Sequence, residues 1–368
     1  MRGARTILAV AAAALAAALL LPFLVNVNLF RAQVTRALGA GLGRPVEAAS
    51  IRLKLLSGPG FDLRNVTIGE DPAFGIEPFA RMPTLRATVR LRSLWTGRLA
   101  FSSLVFVEPS VNLGRNAAGR WNVESLVARA GGGSRLLAAP PYLELQDARV
   151  NFKWGDIKSV FFLSDVDAAL FSTDGGLRRL HLRLTGSPAR TDRTLTEVGE
   201  LRAEGSFGPI SAAASGAPPT LRMQVELRDA SLADLLVLAS GAERQIHGVL
   251  DLRAVLEGEP AALRASGAVR FYDLHRWDLL PSDARSAFDL RFEALLDAPA
   301  RRLRLSRLEA ALGAGQLEGA GEVAHLPDRP SYHFEFRFSG ARAATVLGAA
   351  RHFASRPPRT LRLGGTLS

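Results

Sequence analysis

Residues 221–228 read LRMQVELR: Leu221, Met223, Val225 and Leu227 alternate with Arg222, Gln224, Glu226 and Arg228. Successive side chains of an extended chain point to opposite faces, so this stretch is a strand with one apolar and one wetted face. The same rule extends outward in both directions. Leu85, Ala87, Val89 and Leu91 alternate with Arg86, Thr88, Arg90 and Arg92, and Leu180, Leu182 and Leu184 keep the period. Phe288, Leu290 and Phe292 do so as well, and Tyr332, Phe334, Phe336 and Phe338 stand against His333, Glu335 and Arg337. From Arg44 almost to the end of the chain the pattern predicts roughly seventeen such strands. Clusters such as Gly58-Pro59-Gly60, Asp174-Gly175-Gly176 and Gly313-Ala314-Gly315 mark turns that suit antiparallel hairpins, and no βαβ rhythm occurs.

Composition agrees with a body that buries much apolar surface. Of 368 residues, 48% are hydrophobic and 22% charged, which excludes a disordered chain. There is no cysteine, so disulfides, thiolate metal sites and a catalytic thiol are excluded. The net charge is +11, and among 46 basic residues only Lys54, Lys153 and Lys158 are lysine. Such a chain suits anionic membranes or nucleic acid. The arginines are spread over nearly every strand without an aromatic RNA-binding pattern, so no nucleic acid is expected.

The N-terminus carries an uncharged run, residues 7–25, ILAVAAAALAAALLLPFLV. At about 1.5 Å per residue this helix just crosses a hydrocarbon core of about 30 Å. A cleaved signal peptide competes, with Arg2 and Arg5 as its basic start and Ala16-Ala17-Ala18 as its cleavage site. The apolar run continues through Leu19, Leu20, Leu21, Phe23, Leu24 and Val25, longer than a typical signal core, which favours a retained anchor. Arg2 and Arg5 are matched by Arg31 and Arg36 beyond the run, so only the free amino terminus tips the orientation inward.

After the run, Asn28–Leu38 places Leu29, Phe30, Val34 and Leu38 near helical spacing, with Asn28 as N-cap and Gly39 as stop. This amphipathic helix can lie on a membrane or pack on the first strands. Two further helices are expected, Ser231–Ala239 and Ala341–Phe353. Each follows an alternating strand, a weak repeat of about 110 residues. Residues 131–141, GGGSRLLAAPP, read as a linker. The expected division is an anchor over 1–27, an N-terminal β module over 28–130, the linker 131–141, and a repeated strand region over 142–368.

A search for chemistry finds no catalytic constellation. The six histidines are scattered singly and none is followed by Glu, which removes the HExxH zinc pattern. No Gly-Lys dipeptide exists for a phosphate loop, and Gly39-Ala40-Gly41-Leu42-Gly43 has the wrong spacing for a dinucleotide turn. No GxSxG elbow occurs. Asp165 and Asp167 are two apart, a spacing that allows one strand face; a cation site, an acid–base pair and an exposed strand face are the readings, the exposed face being preferred. No catalytic residue, metal or cofactor is expected, and the chain is read as a non-enzyme.

A sheet with one apolar face covers it with a second sheet, with helices, or with a foreign apolar molecule. The chain offers too few helices for the second option. A closed sandwich and an open trough filled by acyl chains both satisfy the alternation. Seventeen strands at about 4.8 Å spacing extend about 80 Å, long for a closed object and suited to a conduit.

Several pieces in order carry a resemblance: the N-terminal run, the helix with Arg31 and Arg36, Gly43-Arg44-Pro45-Val46, and Phe61-Asp62-Leu63-Arg64-Asn65-Val66. Asp71-Pro72-Ala73-Phe74 and Leu113-Gly114-Arg115-Asn116 follow, leading to Gly119-Arg120-Trp121-Asn122. Together they resemble the AsmA family of bridge-like lipid-transfer proteins over residues 1 to about 125. Arg115, Asn116, Gly119 and Trp121 read as hairpin and packing residues, with Gly119 at positive φ.

The resemblance implies a mainly β fold, in which an N-terminal transmembrane helix leads into an elongated, curved, largely antiparallel sheet that forms a hydrophobic groove, with a few short helices. It implies a bacterial inner-membrane protein with its body in the periplasm, carrying phospholipid toward the outer membrane. Leu85, Val89, Met223, Val225, Leu290, Phe292, Phe334 and Phe336 are the candidate groove lining, with arginines on the outer face. The alternative is an anchored scaffold that assists outer-membrane protein assembly by offering a sheet edge to an outer-membrane or periplasmic protein partner. The chain stops at Leu367-Ser368 inside a strand pattern, which suggests a fragment or a short family member.

Overall fold

The computed structural model describes residues 27–54, 58–95, 99–116, 119–124, 141–155, 157–172, 179–192, 199–209, 218–240, 245–276, 287–312, 315–325, 331–342 and 366–367. The apolar run 7–25 and most of the linker 131–141 lie outside them. Among the described residues no helix is long and apolar enough to cross a membrane. The fold is mainly β. Sixteen strands belong to one sheet, and two short ones, Ala341–Arg342 and Thr366–Leu367, pair separately. A helix was expected from Ala341; its first two residues are strand, and residues 343–353 lie outside the described ones. The chain divides into two compact units, residues 1–158 with 164–180, and residues 159–163 with 181–368.

In the first unit, helix α1 (Arg31–Leu42) precedes strands β1 (Val46–Lys54), β2 (Gly60–Ile68) and β3 (Ala80–Val89), which pair antiparallel in that order. Then come a one-turn helix α2 (Leu91–Leu94), strands β4 (Phe101–Val107) and β5 (Ser110–Arg115), and β6 (Tyr142–Trp154). Strands β4 and β5 follow one another along one lane, broken at Glu108-Pro109, and both run parallel to β6. These parallel pairings are the exception in a sheet whose other described registers are antiparallel, in line with the largely antiparallel expectation. Proline gives no ladder N–H, and a new strand starts just after it.

Helix α1 differs from its sequence reading at both ends. It runs through Gly39 and Gly41 to Leu42, and Gly43 ends it with φ 66°, its N–H donating to the Gly39 carbonyl. Gly39 is small for another reason: a Cβ there would lie 2.9 Å from the Arg44 carbonyl oxygen, where the chain doubles back. Asn28 is no cap; its Oδ1 accepts the Ile51 N–H at 3.1 Å. Val34 and Leu38 are buried in one cluster with Ile51, Leu63, Val66, Met82, Leu85 and Phe106, so α1 packs on the sheet.

An Asn or Asp at positive φ recurs within the strands. Asn65, Asp147, Asp165, Asp229 and Asp273 all have φ between 47° and 52°, a conformation that Asn and Asp tolerate better than most residues. In Leu63-Arg64-Asn65-Val66 and Leu227-Arg228-Asp229-Ala230 two consecutive polar side chains face outward between two buried apolar ones. The Asp147 N–H donates to Asp167 Oδ1 at 3.0 Å, and the Asp229 N–H donates to Asp251 Oδ1 at 2.9 Å, in each case on the following strand. At Asp229 and Asp273 the strand register shifts by one residue, a bulge that adds twist, whereas the register runs through Asn65 unshifted. Asp167, one of the two carboxylates on a shared face, thus has a backbone task. No cluster of three His, Asp or Glu groups suited to a metal occurs among the described residues.

Strands β7 (Ile157–Ser172) and β8 (Leu180–Arg190) follow β6 in the sheet order, and the rest of the second unit is an antiparallel meander. Strands β9 (Glu200–Gly208) and β10 (Thr220–Ser231) lead to helix α3 (Leu232–Ser240). Strands β11 (Ile246–Glu259), β12 (Ala262–Arg276), β13 (Ala287–Asp297), β14 (Arg302–Leu312), β15 (Gly315–Ala324) and β16 (Ser331–Ser339) follow, each pairing with the next. At α3 the Ser231 hydroxyl accepts the Asp234 N–H at 3.4 Å, an N-cap where the sequence placed one.

Candidate functional site

Register aligns the alternating residues of the second unit into rows. Met223 faces Gly205 on one side and Leu256 on the other, and the row continues through Ala265, Ala294, Leu305, Gly321 and Phe334. The adjacent row is Ala203, Val225, Ala254, Gly267, Phe292, Leu308, Gly319 and Phe336. A third holds Leu227, Leu252, Val269, Leu290, Ala310, Leu317 and Phe338. Six candidate residues, Met223, Val225, Leu290, Phe292, Phe334 and Phe336, therefore share one face. At its end the Phe334 and Phe336 rings stack 6.0 Å apart and lie over Gly321 and Gly319, where any Cβ would meet them. These glycines provide the space that the rings occupy.

This face is only partly covered. Met223, Val225, Leu256, Val269, Leu290, Phe292, Leu305 and Phe334 are all of intermediate exposure and Phe336 is 53% exposed, while Ala294, Leu308 and Ala310 in the same rows are buried among their neighbours. Helix α3 covers one end, where Leu227, Ala230 and Leu250 are buried and Leu232, Leu235, Val269 and Phe271 pack around them. Its seat is held by a buried ion pair, Arg190 Nη1 to Asp234 Oδ1 at 2.7 Å, with Asp192 on the same guanidinium.

Leu85 and Val89 lie in the first unit. Leu85 is fully buried, between Leu63 and Phe106 in register and in the cluster that α1 closes; Val89 is buried beside Phe101. The structure thus brings six of the eight candidates together and puts two in the first unit, Leu85 in the core cluster and Val89 buried outside it.

The opposite face of the second unit is a lattice of directly facing ion pairs: Arg222 with Glu257, Arg253 with Glu226, Arg270 with Asp289, and Arg307 with Glu293. Hydrogen bonds from Arg228 and then Arg253 hold the Glu226 carboxyl below the usual range, and Arg270 does the same to Asp289. Exposed pairs of this kind contribute little stability each, but they keep this face wetted. A depression of about 790 Å³ on this side is walled by Arg183, Glu200, Arg202, Glu204 and Arg253. Both charge signs line it, so it selects no single ionic ligand.

Sequence reasoning did not foresee a buried polar network in the first unit. Arg44 Nη1 lies 2.5 Å from Glu70 Oε1 with both side chains under 5% exposed, and Arg44 Nη2 donates to the Asn122 carbonyl at 2.6 Å. Asn122 Nδ2 donates to Glu70 Oε2 and to the Asn112 carbonyl, and the Arg44 guanidinium lies 4.2 Å over the Phe79 ring. Asp71 caps a short turn through Ala73, and Trp121 meets Trp154 edge-on at 5.2 Å. Gly119 has φ 81°, as read from the sequence. The motif pieces that hold Arg44, Phe74, Gly114 and Asn122 thus meet at one place.

The AsmA family model matches residues 1–132, the region that contains this network. Comparison with curated proteins and with solved structures gave no match.

Proposed function

We propose that this chain, whose residues 1–132 match the AsmA family model, carries phospholipid along the apolar face of its second unit. In this reading residues 7–25 hold it in a bacterial inner membrane, the body stands in the periplasm, and lipid moves toward the outer membrane without an enzymatic step. One observation supports the reading most: three aligned rows of apolar side chains across β9–β16 carry no protein layer among the described residues except α3 at one end. An uncovered apolar face of this extent is a liability in water unless something apolar occupies it. An acyl chain does so at about 0.8 kcal/mol per methylene buried. The charged lattice on the opposite face keeps that side in solvent, so the two faces divide the work.

The test is native mass spectrometry of the full chain released from membranes. Met223→Arg places a cation in the middle of one row and is expected to abolish phospholipid co-purification without loss of expression. Arg222→Glu, one residue away on the wetted face, is expected to retain the lipid. Equal loss from both, or no lipid on the wild-type chain, overturns the proposal. The scaffold alternative predicts a stoichiometric protein partner in place of lipid.

A further inference from the structure

Register gathers one end of the first unit. Lys54 faces Gly60, Gly60 faces Thr88, and Val89 faces Phe101, while Asn28 is tied to Ile51. At this end lie the first described residues, 27–30, which continue toward the uncharged run 7–25, and also α2. The apolar groups here are unusually open to solvent: Trp95 is 91% exposed, Leu91 56% and Phe30 46%. Tyr142, whose strand begins beside Ser103 of β4, is exposed at the same end. Within 50–54, 58–62 and 86–95 the basic residues are Arg52, Lys54, Arg86, Arg90 and Arg92, and Asp62 is the lone acid. Arg52 and Arg92 are exposed.

A tryptophan and a leucine projecting from a one-turn helix amid arginines have little to gain from water. They match the headgroup layer of a bilayer, where indole and guanidinium groups both find partners and basic residues meet anionic phosphates. Helix α1 is unavailable for this role because its apolar residues Val34 and Leu38 face the sheet. We propose that this end of the first unit docks on an anionic phospholipid bilayer, with Leu91 and Trp95 in the headgroup layer and Arg52, Lys54 and Arg92 against the phosphates. The inference takes the membrane anchor of the proposed function as its premise. It adds a second contact, which would fix how the first unit stands on the bilayer.

The absence of cysteine makes a labelling test clean. The full chain carrying Trp95→Cys, labelled with an environment-sensitive fluorophore, is reconstituted in vesicles of phosphatidylethanolamine and phosphatidylglycerol. Ile157→Cys is the control: Ile157 is 76% exposed and lies just past the far end of β6 from Tyr142. The expected result is a blue shift, quenching by lipid-borne nitroxide, and at least about threefold protection from iodide at position 95, with none at 157. Lys54→Glu combined with Arg92→Glu is expected to reduce that protection, as is replacing phosphatidylglycerol by phosphatidylcholine. Flotation of the same vesicles reads the anchor separately. A chain that floats with position 95 as open to iodide as 157 overturns the docking alone, and a chain that does not float overturns anchor and docking together.

Discussion

Truncating Leu85 and Leu290 to alanine separates a closed core from an uncovered face. Leu85 is fully buried, enclosed by Leu63 and Phe106 across the strands and by the cluster that contains Val34 and Leu38 of α1. Leu→Ala at such a site removes transfer energy and leaves a cavity, for a cost of about 3 kcal/mol. Leu290 has Val269 and Ala310 as cross-strand neighbours and is only partly buried. Without a facing layer no cavity is left, and the loss falls to about 1 kcal/mol. Native-state hydrogen exchange reads each unit separately, which matters because a chain of two units need not unfold in one step. In lipid-free protein, Leu85→Ala should speed exchange in β2 and β3 by about 150-fold, and Leu290→Ala should speed it in β12–β14 by about fivefold. With lipid bound, the Leu290→Ala effect should grow. Equal effects of the two substitutions in lipid-free protein would mean that the face is sealed, and would refute the reasoning.

Two further outcomes are expected. Glu70→Leu strands the buried Arg44 guanidinium beside Asn122 and Phe79 and should cost about 3–5 kcal/mol in the first unit, whereas Arg44→Met with Glu70→Leu should regain most of it; a double-mutant cycle in urea measures the difference. Lys153, hydrogen-bonded to Glu77 at 3.1 Å, lowers the Glu77 pKa from its ordinary 4.5. A depressed carboxyl contributes stability that is complete above its ordinary pKa and is lost as pH falls through its own lower one. Urea midpoints taken from about pH 6 down to about pH 3 should therefore fall less steeply for Glu77→Gln than for the wild type, by a small margin because Glu77 is half exposed.

Most strands were legible because period-2 alternation follows directly from extended geometry. The positive-φ positions were not: Arg64-Asn65 lies inside β2 and Arg228-Asp229 inside β10, each with an Asn or Asp in the left-handed region that alternation does not register. The end of α1 was misplaced because Gly39 and Gly43 look alike as letters. One is small to let Arg44 pass close by, and the other supplies the left-handed turn. The parallel lane of β4 and β5 beside β6 depends on a long connection, for which no local pattern exists. The network of Arg44, Glu70, Asn112 and Asn122 joins residues up to 78 positions apart, beyond the reach of any local pattern.

From its sequence alone, this protein's β character, the apolar and charged sides of each strand, and the grouping of Met223, Val225, Leu290, Phe292, Phe334 and Phe336 as inward-type residues were determined. Side-chain direction in a strand is a local property of the backbone, so neighbouring letters suffice. Only the tertiary structure decided that Leu85, in the same local pattern as Met223, lies sealed in a core closed by α1, while Met223 stands on a face that α3 covers only at one end. Alternation states which side of a strand is apolar, whereas what opposes that side is set by elements distant in the chain.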